Sequence, residues 1–176
     1  MENKIVMSKT CCITGHRPNG FPWVYGKDSK FQSVYEKLIY ERIESYITES
    51  NVTDFISGMA LGVDMDFAAA VLKLRKKYSS IHLHCAIPCR DQTKLWNRHD
   101  VARYNKILKR ADFSIILSEK YTRNCMLERN RYMVDKSDYV FAVWNGERHG
   151  GTWYTIEYAK KNHKPVGILN LRLLYH

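Results

Sequence analysis

The chain has little negative charge to set against its positive charge. Asp and Glu number 18 and Lys and Arg 28, a formal net charge of +10 over 176 residues. No apolar run approaches the ~18 residues that cross a bilayer, so no membrane partner is expected. The opening "MENKIVMSKTCCI" is too short and too polar for a secretory leader, and the cytosol is the expected location. Prolines number only 4. With no low-complexity segment, repeat or linker, the length suits one domain over residues 1–176. The 5 cysteines are odd in number and none has C-x2-C spacing, which argues against a disulfide scaffold and against a zinc site. G-x-G-x-x-G and G-K-[ST] are both missing, so neither the usual dinucleotide fingerprint nor a Walker A loop is present. No Ser/His/Asp order and no paired carboxylates specify a catalytic mechanism.

What remains is an ordinary globular composition, 45% hydrophobic and 26% charged. The cationic excess is spread over "KLRKKY", "ILKR" and "AKKNHK" and forms no single long run. It fits a nucleic-acid surface, a solvated face, or a small phosphorylated ligand. One cluster, His82, His84, Cys85 and Cys89 in "HLHCAIPC", resembles a metal set. Neighbours on a strand alternate faces, so His84 and Cys85 are expected to point apart, and no metal is predicted.

Short β-like runs alternate with helical periods. The strand candidates are residues 9–14, 54–57, 81–87, 112–118, 139–144 and 165–170. Apolar spacings of three and four mark helices over 29–49, 64–77, 97–110, 126–136 and 152–162. Strands joined by such helices run parallel with right-handed crossovers. The expected fold is α/β: a three-layer, Rossmann-like, doubly wound domain with a mainly parallel sheet of about six strands. The first 8 residues are expected to be loose.

In such a fold the segments that follow strands share one edge, and ligands bind there. Those segments are "TGHRPNG", "SGMALGVD", "PCRDQTKLW", "SEKY" and "WNGERHGGT". The opposite edge offers "ESNVTD", "KKYSS", "KRA", "DKSD" and "KNHKP", which contain no glycine. This asymmetry of glycine and cations points to a crevice at the first edge.

Within it, Thr14, Gly15, His16 and Arg17 top the first strand, which is expected to be central. A buried arginine needs an anionic partner, either an internal carboxylate or a ligand phosphate. His16 can donate to phosphate or act as acid or base near neutral pH. Ser57, Gly58 and Gly62 lead into the helix near Asp64, whose free N–H groups attract anions. Asp64 either caps that helix or holds a ribose hydroxyl. Gly150, Gly151 and Thr152 form a second cradle before the last helix; the alternative is a loop with Thr152 as a simple cap. Glu157 either reaches the crevice, touching ribose or activating water, or is solvated. Trp144, Trp96 and Tyr121 can stack on a base or fill the core. Arg129 can reach phosphate, and Asn130 can read a base or fix a loop.

Taken in order, "TGHRP", "SGMALGVD", "PC" with Gln92 and Trp96, "RNRYMVDKSD" and "GGT" resemble the YpsA-like family of the SLOG superfamily, which also holds the DprA/Smf proteins and the LOG enzymes. The match runs over nearly the whole chain. The resemblance implies a Rossmann-like domain that binds a nucleotide-derived ligand such as NAD or ADP-ribose. LOG enzymes cut the base from nucleoside monophosphates with a signature like P-G-G-x-G-T-x-x-E. In "HGGTWYTIE", His149 replaces the proline, one glycine is missing and the glutamate falls two residues later. DprA-like relatives bind single-stranded DNA, which keeps nucleic acid as a partner.

Three readings follow. The first is a nucleotide-ligand binding protein that acts as sensor or regulator. The second is a nucleotide N-glycosidase with Glu157, Asp64 or His16 as catalytic candidates. The third is a single-stranded nucleic-acid binder. A homodimer is a further expectation, since related folds pair through helices.

Overall fold

A computed structural model describes residues 8–27 and 29–175. The expectation for the first residues falls outside the described residues, except for Ser8, which bonds to Asp54 through its hydroxyl at 2.8 Å. The strands are β1 (Lys9–Gly15), β2 (Val52–Ser57), β3 (His82–Ile87), β4 (Phe113–Ile116), β5 (Tyr139–Trp144) and β6 (Val166–Asn170). The helices are α1 (Lys30–Ser50), α2 (Val63–Leu74), α3 (Arg98–Leu108), α4 (Cys125–Asp135) and α5 (Gly150–Lys161). The order in the sheet is β4-β3-β2-β1-β5-β6, and every pairing is parallel.

Local chemistry sets the element ends. Ser29 caps α1 by accepting from the Gln32 N–H, and Asn51 closes it in the left-handed region at φ 57°. Asn97 caps α3 in the same way through the Asp100 N–H. The inner strands β1, β2, β3 and β5 are apolar on both faces because helices cover both. On one side Phe55, Phe67, Phe141, Ile39 and Val71 form the larger core beneath α1, α2 and α3. On the other, Cys12, Ile56, Ala86 and Val140 pack with Met133 of α4 and Ala159 of α5. Each large side chain so buried contributes about 1.5–3 kcal/mol.

Two local expectations are revised. β4 spans four residues, and all four are exposed; as an edge strand it receives helix cover from neither side. α2 ends at Leu74, three residues early, where Arg75 turns away to pair with Asp112 at 2.6 Å. All five cysteines are free and buried. Burial pushes the Cys12 thiol up to about 12, which keeps it unreactive at neutral pH. His84 bonds to Asp54 at 2.7 Å, while Cys85 belongs to the core on the opposite face. No helix of the described residues is long and apolar enough to cross a membrane.

The topology positions the site. The chain adds β2, β3 and β4 to one side of β1, then returns to place β5 on the other side. The reversal leaves a crevice above the carboxyl ends of β1 and β5, where the loops that follow these strands diverge.

Candidate functional site

A cleft of about 330 Å³ occupies that crevice. Its walls include Thr14 and Gly15 from the end of β1, His16 and Arg17 just after it, Asp64 from α2, Arg129 and Asn130 from α4, and Gly151 and Thr152 from α5. Nine residues singled out from the sequence thus meet in one cavity. Ile13, Asn19, Ala60 and Met126, which carry no sequence signal of their own, complete it. A second compartment of about 640 Å³ adjoins it and shares Arg17 and Met126. There Gln92 and Trp96 meet Leu61, Asp91, Lys94, Leu95 and Tyr121. Both volumes lie in the range of small-molecule sites, about 300–1,000 Å³.

The floor of the cleft is an ion pair. Arg129 is 5% exposed and Asp64 also 5%, and their charged atoms stand 3.6 Å apart. Burial raises the Asp64 carboxyl above its usual range, and the nearby Arg129 charge offsets this in part. Burial also lowers the Arg129 guanidinium, with Asp64 opposing. Both shifts say that desolvation outweighs their mutual attraction. Arg129 donates to the Gly58 carbonyl and to the Asn130 side-chain oxygen at 2.8 Å. Asn130 in turn donates to Thr155 at 2.9 Å, so it ties α4 to α5 and serves as a fixed wall.

A Cβ on Gly58 would stand 1.8 Å from the Arg129 guanidinium, so a larger residue there displaces that side chain. Gly62 adopts φ +87°, and a Cβ would fall 2.6 Å from the His16 carbonyl. Both glycines therefore serve close packing beneath the cleft and do not line it. Ser57 is fully buried and donates to the Asp64 carbonyl at 2.8 Å.

The two helix starts differ. Gly62 is the N-cap of α2, so Asp64 is not the cap but the second helical residue. The His16 carbonyl takes the Val63 N–H at 3.2 Å, and Asp64 and Asp66 place two carboxylates in the first turn. One N–H of that end is taken, and its two first-turn acids make it less attractive to an anion than an acid-free start. α5 begins at Gly150 after His149, with no side-chain cap and no acid in its first turn. Thr152 is its third residue, not its cap. The open positive end in the cleft is that of α5, with Gly151 presenting bare backbone.

His16 and Arg17 part ways. The His16 Nε2 accepts the backbone N–H of Asn145 at 3.2 Å. Burial lowers its pKa from the usual histidine value, against a smaller opposing effect of Glu147. The ring is a neutral acceptor that pins the β5 loop to β1, and its Nε2 cannot also donate to phosphate. Arg17 is exposed rather than buried, and among the described residues it has no carboxylate within ion-pair distance. Its need for an internal partner lapses, and its guanidinium is free to meet a ligand.

Three expected residues lie elsewhere. Glu157 is exposed, two turns into α5, and pairs with Lys160 at 3.2 Å. The Trp144 indole stacks on Trp153 at 5.3 Å and donates to the Glu147 carbonyl at 2.7 Å. Gly150, at φ +78°, makes the turn into α5 outside the cleft.

Comparison with known proteins gives this geometry a family. The SPbeta prophage-derived protein YoqJ of Bacillus subtilis strain 168 is 33% identical over 133 residues, 69% of this chain and 77% of that protein. UPF0398 protein YpsA of the same strain is 26% identical over 161 residues, 90% of this chain and 88% of that protein. A UPF0398 protein of Halalkalibacterium halodurans is 30% identical over 155 residues, 87% and 81% of the two chains. Among solved structures, DNA processing protein A of Helicobacter pylori, described for its single-stranded DNA binding mode, superposes with a TM-score of 0.58 at 18% identity. The superposition covers 91% of this chain, which spans 64% of that one; it shows a shared fold. The family model described as the YspA SLOG family matches residues 11–172, and the chain therefore belongs to the YpsA family of SLOG proteins.

Proposed function

We propose that the protein binds a nucleotide-derived ligand, of the class of NAD, ADP-ribose or a mononucleotide, in the crevice between β1 and β5, and acts as a sensor or regulator. One observation carries this reading: the uncapped, acid-free start of α5 and the unpaired guanidinium of Arg17 border the same cleft. Together they supply backbone donors, a helix dipole and a full charge to one anion. Thr14 and Thr152 offer hydroxyls beside them. Binding is favoured over turnover by the acids: Asp64 is the one carboxylate among the described lining residues, and it already faces Arg129.

A second reading is single-stranded nucleic-acid binding. Its support is the net charge of +10 together with the fold shared with a DNA-binding protein. The two readings separate by salt. A ligand held in the cleft through one or two charges depends weakly on ionic strength. A strand neutralised by several cations loses affinity with a log–log slope of about −0.7 per contact.

The test is a thermal-shift screen of NAD, ADP-ribose, AMP and a short single-stranded DNA at low and moderate salt. A ligand at about 100 times its Kd stabilises by roughly 2.7 kcal/mol, about 5–10 °C in a domain of this size. A nucleotide shift that survives added salt supports the cleft. A shift given by DNA alone, and erased by salt, replaces it with the second reading.

A further inference from the structure

The two edges of the sheet are guarded unequally. β6 ends it on one side and is half-buried along most of its length. β4 ends it on the other, and all four of its residues are exposed. β4 pairs with β3 in an unbroken parallel register, and no described strand meets its outer side. Native edges are blunted by charge, by proline or by a bulge. Phe113, Ser114, Ile115 and Ile116 carry none of these.

The exposure falls on both faces of the strand. Phe113 is 59% exposed and Ile115 44%. With His84, Ala86, Ile56 and Tyr132 they line a trough of about 350 Å³ between β4 and α4. Ile116 is 41% exposed and lies on the opposite face, because successive side chains alternate. A helix laid over the trough would leave Ile116 bare. A strand added at the edge covers both faces and pairs the free backbone groups as well.

Charge selects the partner. Lys109 and Arg110 precede β4, Lys120 follows it, and Lys136 lines the trough. All four are exposed. Among the described residues none of them has a carboxylate within ion-pair distance. The nearest acids in sequence are engaged: Asp112 pairs with Arg75 at 2.6 Å and Glu119 with Arg90 at 2.8 Å. A second copy of the chain would bring the same cations to the edge, and like charges facing across strands destabilise. A nucleic acid would meet the cations but leave the apolar edge unpaired.

We propose that the β4 edge takes up an extended acidic segment of a partner protein as an added strand, whose apolar side chains enter the trough and cover Ile116. The trough shares no lining residue with the anion cleft, so the inference stands apart from the nucleotide reading.

The experiment is an NMR titration of the isotope-labelled full chain with short synthetic probes. The first is a peptide of alternating glutamate and valine with a central phenylalanine. The second replaces every glutamate by lysine. The third is the acidic peptide with alternate backbone N–H groups methylated, which keeps the side chains and removes strand pairing. The fourth is a short single-stranded DNA. We expect the acidic peptide to shift the amides of Phe113 to Ile116, and the lysine and methylated peptides to bind about ten-fold more weakly or worse. Lys120→Glu combined with Lys136→Glu should weaken the acidic peptide and strengthen the lysine one; both side chains are exposed, so the fold is not at stake. Equal binding of the methylated peptide overturns strand addition. Equal binding of the acidic and lysine peptides overturns the charge preference. Shifts at β4 given by DNA alone, or by raising the protein concentration without a probe, overturn the peptide in favour of a nucleic acid or a second copy. An acidic peptide that leaves the β4 amides unmoved overturns the proposal outright.

Discussion

The Arg129 guanidinium lies 3.6 Å from the Asp64 carboxylate, and both side chains are 6% exposed. This pair joins α4 to α2 under the cleft and holds the carbonyl of Gly58 in place. Removing one member strands the other charge. Arg129→Leu should cost about 3–5 kcal/mol, a fall of roughly 10 °C in Tm for a domain of this size. The double variant Arg129→Leu with Asp64→Asn should recover part of that loss, which a thermal melt of the three proteins would read. A single variant as stable as the wild type would show that the pair is not the structural floor.

The same pair gives a pH signature. The Asp64 carboxyl is raised by burial, so the native state holds its proton to higher pH than the unfolded chain does. Its contribution is therefore fully present below the unfolded carboxylate pKa and is lost as pH rises through the folded value. Asp64→Asn, which cannot ionise, should gain stability relative to wild type as pH climbs out of the acid range. Parallel melts across pH 3 to 7, roughly the carboxylate window, would show a widening difference; a difference independent of pH contradicts the raised carboxyl.

His16 should be neutral at pH 7 and protonated at Nδ1, since Nε2 accepts from Asn145 and burial lowers its pKa. A depressed histidine contributes stability that is present above its unfolded pKa and lost as pH falls through the folded value. Nitrogen-detected NMR of the imidazole reports both tautomer and titration. A ring that titrates above the usual histidine value, or carries its proton on Nε2, contradicts the structural role given to it.

Two glycines should respond in opposite ways. Gly62→Ala puts a Cβ 2.6 Å from the His16 carbonyl at a positive φ and should destabilise by more than about 1 kcal/mol. A Cβ on Gly151 would meet only Asn130, at 4.0 Å, in the first turn of α5, where alanine is at least as well suited to the helix as glycine. Gly151→Ala should keep or raise Tm while weakening nucleotide binding, because the methyl group covers the backbone that faces the cleft. Unaltered affinity in Gly151→Ala would move the anion away from α5.

The sheet was legible because parallel βα units write their period plainly into the chain: six apolar runs, each followed by helical spacing. The β4 run of residues 112–118 is apolar enough to suggest a longer strand, and only the neighbours of an edge show why four residues pair. The site edge was legible from the glycine asymmetry, yet the roles within it were not. Gly62 and Gly151 look alike in sequence; one packs against the His16 carbonyl and the other faces the cleft. Arg17 and Arg129 likewise exchange expected roles, because burial depends on α4 crossing under β1. Nothing in "RDQTKLW" marks Gln92 as a donor to the Gly58 carbonyl, which lies 34 residues earlier.

The most direct test of the cleft is the affinity of Arg17→Ala. Arg17 is exposed and carries no ion pair among the described residues, so its removal should leave the folding stability within about 0.5 kcal/mol of wild type. Calorimetric titration of both proteins with the nucleotide that gives the largest thermal shift should show a loss of about ten-fold or more, as expected for a charge-assisted contact. Equal affinity in two equally stable proteins would contradict the assignment of the anion to Arg17 and the start of α5.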